Sequence, residues 1–154
     1  MVVIAVIATL FAIAAPMWMT NDSAQVNSST YRLSAFFDEA RNKAVSLGEP
    51  VRILISDDRT APGQYRHFAI AVQWEEETNG TGFWRQVLNP FFLEEGIYFD
   101  FSGMGAPKDT MLFATGGIQG QKERAWRYYE IEGNGSPGSS LARNVVLRRG
   151  ILDE

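Results

Sequence analysis

The sequence contains no cysteine and only one histidine, His67. The missing cysteine excludes disulfide bonds, thiolate metal sites and cysteine nucleophiles. A single histidine leaves too little material for a Ser-His-Asp triad or for a histidine-rich metal site. The acidic residues lack the spacing of a calcium-binding loop, so solvated loop acids are the simpler interpretation. The sequence therefore predicts a non-enzymatic protein that uses no cofactor and no metal.

The chain has no excess of positive charge, because 14 Lys and Arg residues stand against 18 Asp and Glu residues, which gives a formal net charge of -4. No long-range field would attract nucleic acid, so any such contact would have to be local. The length allows one domain of roughly a hundred residues beside an apolar start. Aromatic residues make up 12% of the chain and there are 14 glycines, which favours short strands joined by tight turns. The main body is therefore predicted to be β-rich.

Charged residues are absent from the first fifteen positions, which are followed by Pro16. A helix that spans a membrane needs about 20 apolar residues, and this run reaches that length only when residues 17–19 are added. It could be a cleavable signal peptide, a buried helix, or a membrane-anchored helix that continues as an amphipathic one. A signal peptide would begin with basic residues, and a helix apolar on every face needs a larger protein around it. The third interpretation is therefore favoured.

A helical pattern with a period near 3.6 residues follows from Val26. Gly48 suits a left-handed cap and Pro50 prevents continuation, so the helix is predicted to end at about Leu47. Residues 21–23 could start this helix separately; otherwise one helix of about 45 residues begins in the apolar run. The residues expected to dock the helix on the sheet are Val26, Leu33, Phe37, Ala40, Ala44 and Leu47.

The remainder of the chain has the alternation of strands. Residues 51–55 form a short β-branched run, and residues 68–74 alternate large and small side chains. Asn79-Gly80 is a favoured hairpin pair, so residues 83–88 are predicted to return beside this strand. Further strands are predicted at 97–101, 111–113, 126–131 and 144–148. The predicted domains are 1–20, a membrane or filament-core helix segment; 21–48, its amphipathic continuation; and 49–154, a β-rich globular domain.

The apolar run, the polar break after it and the helix end form one combined pattern. The helix end consists of Ala40, Arg41, Ala44, Gly48, Pro50 and Val51. The pattern resembles the N-terminal half of type IV pilin-like proteins, specifically minor pseudopilins of type II secretion and minor pilins of type IV pili. A more particular likeness is to pilin-like proteins of verrucomicrobial gene cassettes. The resemblance implies an α+β pilin-like fold, with a long N-terminal α-helix, apolar then amphipathic, packed on a C-terminal antiparallel β-rich globular domain.

The same resemblance implies a non-enzymatic structural subunit of a pseudopilus or pilus. Before assembly, a single-pass helix would hold the chain in the bacterial inner membrane with the globular domain in the periplasm. The implied partners are other pilin-like subunits, the inner membrane and the inner-membrane assembly machinery; no cofactor is implied. The residues implied for membrane and filament packing are Val2, Val3, Ile4, Val6, Ile7, Leu10, Phe11, Ile13 and Pro16.

The start of the chain departs from this family. Its members begin with a basic leader that ends in glycine, followed by a Phe-Thr-Leu-Ile-Glu type of start. Met1 aligns just past that glutamate. We therefore expect the coding frame to continue upstream through a cleavage motif, and the genomic sequence 5′ of Met1 tests this expectation.

A tethered binding module for DNA or carbohydrate is the alternative function. Minor pilins that bind DNA carry a basic Gly-Arg-x-Arg element near the C-terminus, where this chain has Arg148 and Arg149 followed by Gly150 and Ile151. The two arginines are therefore the candidate DNA contacts, although a solvated pair is the simpler interpretation and nucleic acid is not an expected partner. For carbohydrate, a stacking surface could form from Trp74, Trp84 and Trp126.

Overall fold

The computed structural model describes residues 2–76, 82–103, 108–111, 124–138 and 144–150. Side chains are described for residues 24–76, 82–102, 124–138 and 144–150. One helix, α1, runs over Val2–Leu47. The strands are β1 Val51–Ser56, β2 Phe68–Glu76, β3 Gly82–Gln86, β4 Phe91–Phe92, β5 Ile97–Phe99, β6 Lys108–Met111, β7 Arg124–Ile131 and β8 Leu147–Arg149. A short 3-10 helix, η1, covers Phe101–Gly103.

The main sheet has the strand order β3-β2-β1-β7-β6, and β4 also pairs with β2. Each of these described pairings is antiparallel. β1 lies at the centre, with Arg52 opposite Val72 of β2 and opposite Glu130 of β7. β5 and β8 form a separate two-stranded antiparallel sheet. The central position of β1 explains why Ile53, Leu54 and Ile55 are apolar in succession, since both faces of the strand are covered there.

α1 lies against one face of the sheet and contacts β1, β7 and β8. Leu33, Phe36, Ala40 and Ala44 recur at helical spacing and are buried. They belong to one core with the side chains of β1 that point to this face, such as Ile53. Both alanines are 0% exposed, so the helix backbone approaches the sheet closely where they lie. Small side chains at these two positions are therefore a condition of this packing.

The end of α1 is defined by Gly48, which adopts a positive φ of 70°. Its backbone N–H donates a hydrogen bond of 2.9 Å to the carbonyl oxygen of Ala44. This left-handed conformation costs glycine little because glycine has no Cβ. The helix consequently ends at Leu47, and the chain enters β1 at Val51.

The sheet face away from α1 carries a second apolar cluster. Leu54, Ile70, Val72 and Trp126 are buried there together with Phe68, and Trp84 and Tyr128 pack against them. Leu54 belongs to this cluster while its neighbours Ile53 and Ile55 belong to the first core, as the alternation of a strand requires. The sheet is thus apolar on both faces.

These observations correct the predicted fold class. The sequence predicted a pilin-like α+β fold, in which a long helix, apolar and then amphipathic, packs on the β domain. In the residues that it describes, the structure shows a mostly antiparallel β-sheet with one α-helix, and it shows packing on the sheet for the part of that helix from Ala24 to Leu47. The packing predicted for the apolar half is not shown. A segment that is apolar on every face has no periodicity from which its contacts could be predicted.

The predicted localisation is also corrected. Among the described residues, no helix has both the length and the apolar character needed to cross a lipid bilayer. The prediction of a single-pass inner-membrane protein with its globular domain in the periplasm is therefore wrong on this criterion. The apolar run was close to the minimum length for a membrane span from the outset, because a span needs about 20 residues.

Candidate functional site

The side of α1 opposite the sheet forms the outer helix face, which we define as Tyr31, Ala35, Asp38, Asn42 and Val45. Tyr31 lies midway between the buried residues Ser29 and Leu33, so it points away from the core. It is 78% exposed and Val45 is 53% exposed. Ala35, Asp38 and Asn42 are also exposed. This mixture of an aromatic ring, small side chains and polar groups suits contact with another protein chain rather than chemistry.

Glu94, in the connection before β5, holds one flank of the helix. Its Oε1 accepts hydrogen bonds from Ser28 Oγ at 3.2 Å and from Arg32 Nη1 at 3.4 Å. The Arg32 guanidinium also lies 5.7 Å from the ring centre of Phe91. Such exposed ion pairs add little stability. The buried residues Leu33, Phe36, Ala40 and Ala44 set the rotation of the helix about its axis, and the outer helix face therefore points away from the sheet.

The residues predicted to dock the helix are mostly in the core, with one correction. Leu33, Ala40 and Ala44 are buried, and Val26 and Phe37 are partly buried against the same core. Leu47 is instead 41% exposed, because it is the last helical residue and the chain turns away there. Ser29 and Phe36 are also buried, although neither belongs to the predicted docking residues. Phe36 packs on Phe91 with ring centres 5.4 Å apart, and Phe37 packs on Tyr129 at 5.6 Å. Both partners lie far along the chain, so no local pattern shows which of the two phenylalanines is buried.

The residues predicted for membrane and filament packing lie outside the described side chains. They occupy the first part of α1, and they are Val2, Val3, Ile4, Val6, Ile7, Leu10, Phe11, Ile13 and Pro16. The structure therefore gives no information on what these side chains contact.

Arg148, one of the two candidate DNA contacts, forms an ion pair inside the protein. Its Nε lies 2.6 Å from Asp100 Oδ2. Asp100 is 6% exposed and accepts hydrogen bonds from the Ser102 hydroxyl and the Ser102 backbone N–H. These hydrogen bonds, and then the positive charge of Arg148, lower the pKa of Asp100. Arg149 lies opposite Ile97 in the β5–β8 ladder. A carboxylate thus already compensates Arg148, which leaves less positive charge for phosphate.

The three tryptophans of the carbohydrate alternative do not share one surface. Trp126 is 2% exposed in the second core, whereas Trp74 is 48% exposed. The rings of Trp74 and Trp84 meet edge to face, with centres 5.3 Å apart and planes at 67°. Trp74 lies opposite Trp84 in the pairing of β2 with β3. The structure therefore places two of the three together and assigns the third to the core.

Arg52 extends this pair into a row across the sheet. Its guanidinium carbon lies 4.6 Å from the ring centre of Trp84 and 4.6 Å from that of Tyr128. Its Nε also donates a hydrogen bond to Glu130. We call Trp74, Trp84, Arg52 and Tyr128 the aromatic ladder. The sequence held one signal for it, since Trp74 and Trp84 flank a predicted hairpin turn.

The described residues do not meet the requirements of a metal site. Among the residues that the structure describes, no group of three or more His, Asp or Glu side chains is placed to hold a metal ion. No protein-family model, no curated protein and no solved structure matches the chain.

Proposed function

We propose that this chain is a non-enzymatic structural subunit of the minor pseudopilin or minor pilin kind. It assembles with other pilin-like subunits into a type II secretion pseudopilus or a type IV pilus. The observation that carries the proposal is the junction of α1 with β1, where the residues of the pilin-like pattern lie together. Ala40, Ala44 and Val51 are 0% exposed there, and Gly48 has a positive φ. Each of these residues therefore has a part in docking a helix end on a sheet.

The outer helix face supplies the contact surface for a neighbouring subunit. Tyr31 combines a large apolar ring with a hydroxyl, and such aromatic residues are enriched where protein chains meet. The flanking Ala35 and Asn42 are small, so a second chain can approach the helix closely. DNA binding is less well supported, because Arg148 already pairs with Asp100.

The experiment replaces Tyr31 with a photoreactive phenylalanine analogue in the full chain, expressed in its native cell. Illumination is expected to link position 31 covalently to another pilin-like subunit, which mass spectrometry identifies from its peptides. The matched control places the same analogue at Trp74, which is also exposed but lies on the sheet face away from α1. Position 74 is expected to give little or none of this product.

Three results would contradict the proposal. They are no light-dependent product at position 31, equal yields of the same product at both positions, and a product that contains only a protein of another class. A second variant, Tyr31→Ala, keeps the helix intact because the side chain is 78% exposed. It is expected to fold normally and to reduce recovery of the chain in sheared filaments.

A further inference from the structure

Trp74 packs against Gly82 and Trp84 although 48% of its surface is exposed. A Cβ added to Gly82 would lie 2.2 Å from Trp74 Cζ2 and 2.4 Å from its Cε2. The indole therefore lies directly against the Gly82 backbone, and only glycine leaves room for it. Trp84 meets the same ring edge to face at 5.3 Å between centres. Two contacts thus fix the orientation of an exposed aromatic ring.

The rest of the aromatic ladder supports this orientation from behind. Arg52 lies between the rings of Trp84 and Tyr128 at 4.6 Å from each centre. Glu130 holds the guanidinium by a hydrogen bond to Nε. Arg52 therefore favours one orientation of Trp84, and Trp74 packs against Trp84. A ligand that stacks on Trp74 would lose little free energy in ordering the ring, because the ring is already ordered.

A single carboxylate stands beside this ring. Glu76 follows Trp74 by two residues in β2, so both point to the same face of the sheet. It lies opposite Gly82 in the pairing with β3 and is exposed. A carboxylate accepts hydrogen bonds from hydroxyl groups and repels anions. The position next to Trp74 therefore suits a ligand that is rich in hydroxyl groups and carries no negative charge.

We propose that Trp74 and Glu76 form a binding site for a neutral oligosaccharide of β-linked pyranose rings. Such a ring with equatorial substituents presents an apolar C–H face, which stacks on an indole, and a rim of hydroxyl groups, which reaches Glu76. A protein partner would need a broader apolar surface. Among the described residues, Phe92 is the other exposed aromatic on this face of the sheet. It lies opposite Phe68 in β2. From the rise of a strand, Phe68 is roughly 20 Å from Trp74. The site takes one or two sugar rings.

The test titrates the purified full chain with cellotetraose and with chitotetraose in a calorimeter. At least one of the two is expected to bind saturably to the wild-type chain. Trp74→Ala is expected to raise the Kd by about tenfold or more, which equals about 1.4 kcal/mol. The matched control is Phe92→Ala, because Phe92 is 47% exposed against 48% for Trp74. This control is expected to bind like the wild type.

Two further variants test the aromatic ring and the carboxylate separately. Trp74→Phe keeps a ring against Gly82 and is expected to bind with a Kd between those of the wild type and Trp74→Ala. Glu76→Gln is expected to narrow the preference for cellotetraose or chitotetraose over the acidic tetragalacturonate, since the repelling charge is removed. The proposal is overturned if neither neutral sugar saturates the wild type at millimolar concentration, or if Trp74→Ala and Phe92→Ala bind equally well.

Discussion

Arg52 shows how one residue connects distant parts of the chain. Its planar guanidinium stacks between two rings while its Nε reaches a carboxylate. A lysine would keep the positive charge, but it has no planar group that could stack on the two rings while its edge donates a hydrogen bond to Glu130. The residue therefore joins β1, β3 and β7 on the face away from the helix. The β-branched run of residues 51–55 predicted that Arg52 lies in a strand, but its partners depend on strand order, which no local pattern contains.

Asp100 gives a prediction for the dependence of stability on pH. Its pKa is lower in the folded protein than the ordinary value of 3.8, because Ser102 and Arg148 favour the carboxylate. At pH values above 3.8, the lowered pKa of Asp100 contributes to the stability of the fold. This contribution is lost as the pH falls through the folded-state pKa. Asp100→Asn is expected to reduce the free energy of unfolding at pH 7 by roughly 1.5–3 kcal/mol, as for other hydrogen bonds to charged groups.

Urea unfolding at a series of pH values measures this effect. The difference between wild type and Asp100→Asn should be largest at neutral pH and should shrink below pH 3.8. Asp38→Asn, on the outer helix face, is the control and should change stability by less than about 0.5 kcal/mol at pH 7. A difference that stays constant down to the acid transition would show that the charge of Asp100 does not stabilise the fold.

For elements, the packing of α1 on the sheet depends on its small residues. Ala40 is 0% exposed, so a larger side chain there must push the helix away from β1. Ala40→Leu is expected to reduce the free energy of unfolding by about 1–3 kcal/mol through overpacking. Ala35→Leu is the control on the exposed side of the same helix, with an expected change below about 0.5 kcal/mol. Equal effects in urea unfolding would mean that the helix is not held closely at Ala40.

The sequence predicted the elements better than their contacts. The helix end at Leu47 and the strands near residues 51, 68 and 126 follow from local chemistry: a glycine with a left-handed φ, a proline, and side chains that alternate. The burial of Phe36 rather than Leu47, and the pairing of β8 with β5, depend on residues far along the chain. The two sites divide in the same way. The exposure of Trp74 and the burial of Trp126 could not be separated by composition, because both are tryptophans in predicted strands.

At the scale of the whole molecule, the sheet has an apolar cluster on each face. Ile53 points to the helix side and Leu54 to the other, and both are 0% exposed. Ile53→Ala and Leu54→Ala are therefore expected to cost similar amounts, about 2–5 kcal/mol each. Tyr31→Ala, on the outer helix face and 78% exposed, should cost less than about 0.5 kcal/mol. Chemical unfolding measures the free energy of unfolding of all three variants; a Leu54→Ala value close to that of Tyr31→Ala would contradict a second core.

The corrections to fold class and localisation also belong to this scale. Residues 1–15 carry no charge. This indicates that they avoid water, but it does not indicate which surface they pack against. The predicted packing followed from the resemblance to pilin-like proteins, whereas the membrane span was inferred from the apolar run and the amphipathic segment after it. The pattern at the helix end near Ala44 did predict local structure, because its small residues are buried against the sheet and Gly48 adopts a positive φ.

The central position of β1 has a consequence for how the chain folds as it is made. Its partner β7 comes late, with Arg52 and Glu130 separated by 78 positions. At roughly 5–20 residues per second, a ribosome needs about 4–16 seconds to supply that partner. During this interval β1 can pair with β2 on one side only, and its other edge offers unpaired backbone groups to any strand nearby. We therefore expect nascent chains that end before β7 to aggregate or to bind chaperones, and full-length chains to refold slowly because so many contacts are non-local.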